Sequence, residues 1–264
     1  MTTLSEAAVR ILTAVQPADK VSLSLDAAAD WFAGRITEIG TATPPERPNR
    51  PEKPEILPPN KMPKRTTGGK AGMVGLLHAL SHIEFNAIDL AWDIIARFAD
   101  QDMPKAFFDD WVQVAKDEAE HFRDLNQLMG EMGAAYGDLP AHDGLWDAAR
   151  KTAHDLYARL AVVPMTLEAR ALDTAPTTVH KLAAKGDTHT APVLQKIVDE
   201  EIDHVAAGTR WFKYLCQRDG HDAPARYHAL IHEHFPGGLK RPFNHQGRGQ
   251  AGMEPEFYEP LGRD

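Results

Sequence analysis

Leu194-Gln-Lys-Ile197-Val198-Asp-Glu-Glu201-Ile-Asp-His204-Val205-Ala-Ala-Gly208 is the stretch that decides the fold. Leu194, Ile197, Val198, Val205 and Gly208, continued by Phe212 and Leu215, form one stripe at spacings of three and four. That is the period of an amphipathic helix. Glu201 and His204 fall inside the stripe, where the pattern wants apolar residues. Three apart, they share one helix face. A carboxylate buried without a partner is costly, so this face has to supply one. A divalent metal ion is one such partner.

The pattern repeats upstream. Trp111, Val114 and Ala115 lead into Glu118 and His121, and Phe122, Leu125 and Met132 follow. Two further helical stripes each carry one acid. Glu84 sits among Leu77, Ser81, Ile88 and Ala91, and Glu168 among Ala161, Pro164, Met165, Ala171 and Leu172. Glu84 precedes Glu118 by 34 residues and Glu168 precedes Glu201 by 33. Both Glu84…Asp89 and Glu168…Asp173 read Glu-x4-Asp. The chain therefore reads as two helical hairpins, each giving a Glu and then a Glu-x-x-His. This is the ligand set of di-iron and di-manganese helical bundles. Four carboxylates and two neutral imidazoles carry a charge of −4, which balances two divalent ions. Oxygen-rich sites with some imidazole suit iron and manganese better than thiolate-loving metals. A Glu-x-x-His match alone arises about once by chance in a chain with 13 His. The weight rests on burial and near-equal spacing together. Asp89 and Asp173 are candidates to orient His121 and His204 from behind the ligands.

Around this core the chain divides into four parts. Residues 1–40 read as two helices, 4–16 and 20–39. Residues 41–70 form a proline-rich strap, from Thr43-Pro44-Pro45 to Leu57-Pro58-Pro59, which excludes regular helix and sheet. Ile56, Leu57 and Met62 give this arm something to bury. Residues 71–220 hold four long helices, at about 72–100, 104–133, 144–175 and 190–218, with a short extra helix at 176–187. A helix to about 235 and a Gly/Pro-rich tail fill 221–264. If the third long helix began at 144, Glu168 would lie about 36 Å along it, against about 22 Å from Glu118 to the end of the second. Part of 134–156 is therefore expected to form a crossover, with the ligand helix beginning near 154 and a kink near Pro164. No strand pattern stands out. The fold class is all-α.

The 264 residues carry a net charge of −9, with 43% hydrophobic and 25% charged residues. An acidic chain is a poor general binder of nucleic acid. Lys61-Met-Pro-Lys64-Arg65 is the best candidate for a local basic patch, but a solvated linker is the favoured reading. A single cysteine, Cys216, excludes an internal disulfide. It lies in an apolar run and reads as a core residue. No secretory leader and no apolar run of about 20 residues is seen, so a cytoplasmic protein without a membrane partner is expected. His78, His82, His154, His180 and His189 read as surface or cap residues.

The runs Leu80-Ser-His-Ile-Glu84-Phe-Asn-Ala-Ile-Asp89-Leu-Ala, Asp117-Glu118-Ala-Glu-His121-Phe and Asp199-Glu-Glu201-Ile-Asp-His204 resemble a bacterial ferritin-like family of unknown function. So do Met62-Pro-Lys-Arg65, Pro140-Ala-His-Asp-Gly-Leu-Trp146 and Pro255-Glu-Phe-Tyr-Glu-Pro260. The resemblance spans nearly the whole chain. It implies a ferritin-like four-helix bundle with two metal ions at Glu84, Glu118, His121, Glu168, Glu201 and His204. More remotely, the chain is similar to the di-iron tRNA hydroxylases acting on isopentenyl-adenosine and to rubrerythrin-like peroxidases.

Three functions fit these readings. The first is a di-iron (or manganese, or mixed-metal) oxidase or oxygenase using dioxygen or peroxide. Its substrate would be a small molecule or modified nucleoside, and its electron donor is open. The second is ferroxidase activity, metal handling or peroxide detoxification. The N-terminal arm and the tail suit a storage cage poorly, and one cysteine cannot build a rubredoxin-type electron path. The third is a non-catalytic scaffold whose buried acids pair with Arg170 and Arg210. A homodimer is compatible with all three.

Overall fold

Thr3 opens the first helix with a reciprocal cap. Its hydroxyl accepts from the Glu6 N–H at 3.3 Å, and the Glu6 carboxylate accepts from the Thr3 N–H at 2.8 Å. Helix α1 runs Leu4–Thr13, and α2 runs Pro17–Phe32 with proline in its first turn. The computed structural model describes residues 2–63 and 68–264. Lys64 and Arg65, the end of the basic stretch, lie outside the described residues, as does part of the Met62–Arg65 motif. The chain is all-α, and no helix among the described residues is long and apolar enough to cross a membrane. It forms two compact units, one reaching Asp147 and the other spanning Ala148–Asp264.

In the first unit, α3 (Gly69–Arg97) and α4 (Lys105–Glu131) pack along their lengths as a hairpin. Helix α1 lies on α3 and α2 on α4. Buried Ser24 of α2 ties the layers: its hydroxyl donates to the Ala115 carbonyl at 3.1 Å and accepts from Trp92 Nε1 at 2.7 Å. The proline-rich strap is an arm along this unit, as its composition suggests, but not by the expected contacts. Ile56 is exposed, and Leu57 and Met62 are only half-buried. Polar anchors hold the arm instead. Leu57 N–H donates to the Ala141 carbonyl at 2.8 Å, and Arg97 donates to the Pro45 carbonyl at 2.9 Å. Arg50 reaches both Asp143 at 2.6 Å and Asn86 at 2.5 Å. A proline-rich backbone has few donors of its own, so neighbouring groups satisfy its carbonyls.

Helix α5 (Gly144–Lys151) is separate from the ligand-bearing helix. That helix begins at α6 (Leu156–Val162), where Asp155 caps it by accepting from the Tyr157 N–H at 2.8 Å. It passes through a π-helical turn, Val163–Glu168, into α7 (Ala169–Ala184). Pro176 lies inside α7, so the expected separate helix at 176–187 is a continuation. Helix α8 (Thr190–Asp219) ends at Gly220, whose φ of +74° makes the left-handed cap for which glycine carries no Cβ penalty. Helix α9 (Ala223–His234) follows. The tail carries α10 (His245–Gln250) and α11 (Pro255–Tyr258), and Leu239–Lys240 pairs in parallel with Gly262–Arg263. Within this unit α7 packs on α8.

Candidate metal centre

In the first unit, α3 and α4 bring Glu84, Glu118 and His121 together. Each offers a ligand atom within 4.8 Å of the others. His121 Nδ1 lies 3.4 Å from a Glu84 oxygen and 3.6 Å from a Glu118 oxygen. All three residues are buried. Helical spacing explains the meeting, since Glu118 and His121 are three apart on α4 and Glu84 faces them from α3. Burial foremost, and then the neighbouring Glu118 carboxylate, hold the Glu84 carboxyl well above the usual range, with His121 partly opposing them. The Glu84 oxygen nearest His121 has no partner in hydrogen-bond geometry among the described residues.

The second unit repeats the pattern. Glu201 and His204 of α8 are buried, with His204 Nδ1 3.7 Å from a Glu201 oxygen. The other Glu201 oxygen is buried and has no hydrogen-bond partner among the described residues. Glu168 closes the π-helical turn and is half-buried. Arg170 donates to the carbonyls of Lys240 at 2.8 Å and Pro242 at 3.1 Å and pairs with Asp173, while Arg210 is exposed. Glu84, Glu118 and His121 of the first unit and Glu201 of the second are thus buried residues that could each give a ligand to a metal ion.

Asp89 and Asp173 do not orient the histidines. Lys20 Nζ, fully buried, donates to Asp89 Oδ1 at 2.5 Å and to the Asn49 carbonyl at 3.2 Å, and Asp89 Oδ2 has no hydrogen-bond partner. Asp173 is gripped by Arg248 at 2.9 and 2.7 Å and accepts from the Asn244 N–H at 2.9 Å. An Asp five residues after a Glu is rotated about 140° around the helix. It therefore turns away from the Glu, toward α2 in the first unit and toward α10 in the second. Burial pushes the Asp89 carboxyl up to about 6, against the pull of Lys20.

Two further expectations need correction. His78 and His82 are buried acceptors and donors under the 134–142 loop, not surface residues. His78 Nε2 accepts from the Gly137 N–H at 3.0 Å. The His82 ring meets Tyr136 Oη at 2.9 Å and the His142 carbonyl at 3.1 Å. Desolvation pushes His82 down to about 4. His154, His180 and His189 are exposed, as expected. Cys216 is buried, and burial raises its thiol to about 11, which suits a core residue. The sequence reading missed Lys20 and Arg248. Lys20 carried a usable signal: it interrupts the buried stripe Ser24, Ala27, Ala28 and Trp31 as Glu201 interrupts its own.

The family model described as "Protein of unknown function (DUF455)" matches residues 13–259. The chain belongs to this family. A Haemophilus influenzae relative described as "Uncharacterized protein" is 40% identical over 208 residues, which cover 77% of this chain and 72% of that relative. No solved structure matches the chain. The helical structure and the buried acids and histidines are compatible with a ferritin-like fold.

Proposed function

We propose that Glu84, Glu118, His121, Glu168, Glu201 and His204 together hold two metal ions inside a ferritin-like four-helix bundle, α3 and α4 giving one half of the set and the α6–α7 helix and α8 the other. Iron fits best, and manganese or a mixed pair is the substitute. One observation carries the reading. Among the described residues Glu84 and Glu201 are buried acids, each with an oxygen lacking a hydrogen-bond partner, and the ion pairs seen for them are to histidine. Such oxygens need a cation.

A bound iron pair supplies oxidation by dioxygen or peroxide, and we read the protein as an oxidoreductase acting on an organic substrate. The chain's own residues supply the rest. The carboxylates would neutralise the charge of the ions, the imidazoles would complete the ligand set, and the apolar stripes around them would keep water out. The test is metal analysis of protein purified without chelator, with an absorption spectrum as the ferrous form meets air. About two metals per chain, abolished by Glu118→Ala, are expected. No metal above background would sink the proposal and revive the scaffold. Metal uptake that couples to oxidation of iron alone, with no organic substrate turned over, would favour metal handling.

A further inference from the structure

The two hairpins are alike in sequence but not in backbone. Glu84 stands on an unbroken α-helix, whereas Glu168 is the last residue of the π-helical turn Val163–Glu168. A π turn inserts about one extra residue, and single π turns concentrate at functional sites. Everything after it is rotated by about 100° from where an unbroken α-helix would place it. The direction of the Glu168 carboxylate is therefore set by whatever holds this turn.

Four features hold it, all within the second unit. Pro164 has no N–H, so the α-type bond it would donate is missing at that point. The Thr166 hydroxyl donates to the Ala161 carbonyl, five residues back, at 2.8 Å. Tyr227 of α9, fully buried, places its hydroxyl 2.7 Å from Thr166 Oγ1 and 3.3 Å from the Met165 carbonyl. The fourth feature is Gly208 of α8, four residues beyond His204. A Cβ there would lie 2.5 Å from the Pro164 Cβ, so the helix carrying Glu201 and His204 rests directly on the proline ring. A buried tyrosine hydroxyl satisfied by this turn alone is an expensive way to fill a core, where phenylalanine would pack as well.

We infer that Tyr227 and Thr166 are positioning residues: their paired hydroxyls lock the π-helical turn and so aim the Glu168 carboxylate at its metal. The inference rests on the di-metal reading above and adds to it which outer residues tune one ligand. Partners that orient metal ligands typically change metal affinity about 10- to 100-fold when removed. The effect should fall on the metal served by Glu168 and spare the other.

The experiment is anaerobic titration of the full chain with ferrous iron, followed by near-infrared circular dichroism and calorimetry. Tyr227→Phe and Thr166→Val remove one hydroxyl each at nearly constant volume, and Thr166→Ser keeps it. We expect the second iron equivalent to weaken about tenfold or more in Tyr227→Phe and Thr166→Val, with an altered spectrum. The first equivalent should be unchanged, and Thr166→Ser should restore the wild-type pattern. Wild-type affinities and spectra in both hydroxyl-free variants would overturn the inference and leave the metal proposal standing. Loss of folded helix in both, or equal weakening of both equivalents, would also overturn it, because the pair would then serve stability alone. A wild-type chain that binds no iron would instead overturn the metal proposal itself.

Discussion

Replacing Glu84 by Gln should move the stability of the metal-free and iron-loaded protein in opposite directions. In the metal-free chain Glu84 is 3% exposed and lies beside Glu118, so its ionised form is disfavoured by lost hydration first and by like charge second. Gln keeps the shape and removes the charge. Burying a group without compensating hydrogen bonds costs about 1–3 kcal/mol, and Gln, which still buries an amide, should recover about 1–2 kcal/mol of it. A protein of this size gains about 2–4 °C in Tm per kcal/mol, so a rise of roughly 2–8 °C is expected at pH 7.5. The sign with pH follows from linkage. A carboxyl whose folded pKa is raised holds its proton more tightly folded than unfolded. The wild-type penalty is therefore full above the folded pKa, declines as pH falls through it, and vanishes below the ordinary carboxylate value. The advantage of Gln should shrink the same way. Ferrous iron at a hundred times its Kd should stabilise the wild type by about 2.7 kcal/mol per site, most of which the variant forfeits. Scanning calorimetry with chelator and with anaerobic iron reads both signs. A variant that melts below wild type in chelator, or gains as much from iron, would refute the reasoning, because Glu84 would then be a satisfied structural acid.

Three other outcomes test the frame around the site. Lys20→Met leaves Asp89 buried and unpaired, at a cost of about 3–5 kcal/mol in urea unfolding at pH 7.5. With Asp89 already held up to about 6, the deficit should be smaller at pH 5, where the carboxyl is protonated; an equal deficit at both pH values would exclude pairing as its cause. His82 has its folded pKa lowered to about 4 from 6.5, so its contribution is complete above 6.5 and is lost as pH falls toward 4, by up to about 3 kcal/mol. His82→Gln should flatten that part of the urea-midpoint profile between pH 7 and 4, and an unchanged slope would place the effect elsewhere. Gly208→Ala drives a methyl into Pro164 and should cost about 1–3 kcal/mol in thermal unfolding; a neutral result would mean that the helix contact yields.

Periodicity alone exposed the acids in this chain. Glu84, Glu118, His121, Glu201 and His204 stand out because a stripe at spacing three and four leaves no place for charge, and all five are buried. The same logic read α8 to within a residue, since Pro192 and Gly220 bound it with local chemistry. It failed where a long-range partner replaced local preference. Pro176 signals a break, but packing on α8 carries the helix through it. Ile56 signals burial, but the arm is fixed through its backbone and through Arg50. His78 and His82 lie on the surface by composition, and a loop more than 50 residues away in sequence covers them.

The outer layer was the least legible. Asp89 and Asp173 are plainly marked as a repeat, yet nothing local says that Lys20 and Arg248 will reach them from the two ends of the chain. Sequence by itself determined which side chains must be buried and which of those are charged, because helical period and desolvation cost act along the chain. Only the tertiary structure decided which cation answers each aspartate and that Glu168 leaves its helix by a π turn under Tyr227. Those outcomes depend on contacts between segments 60 or more residues apart, whose closure no local preference encodes.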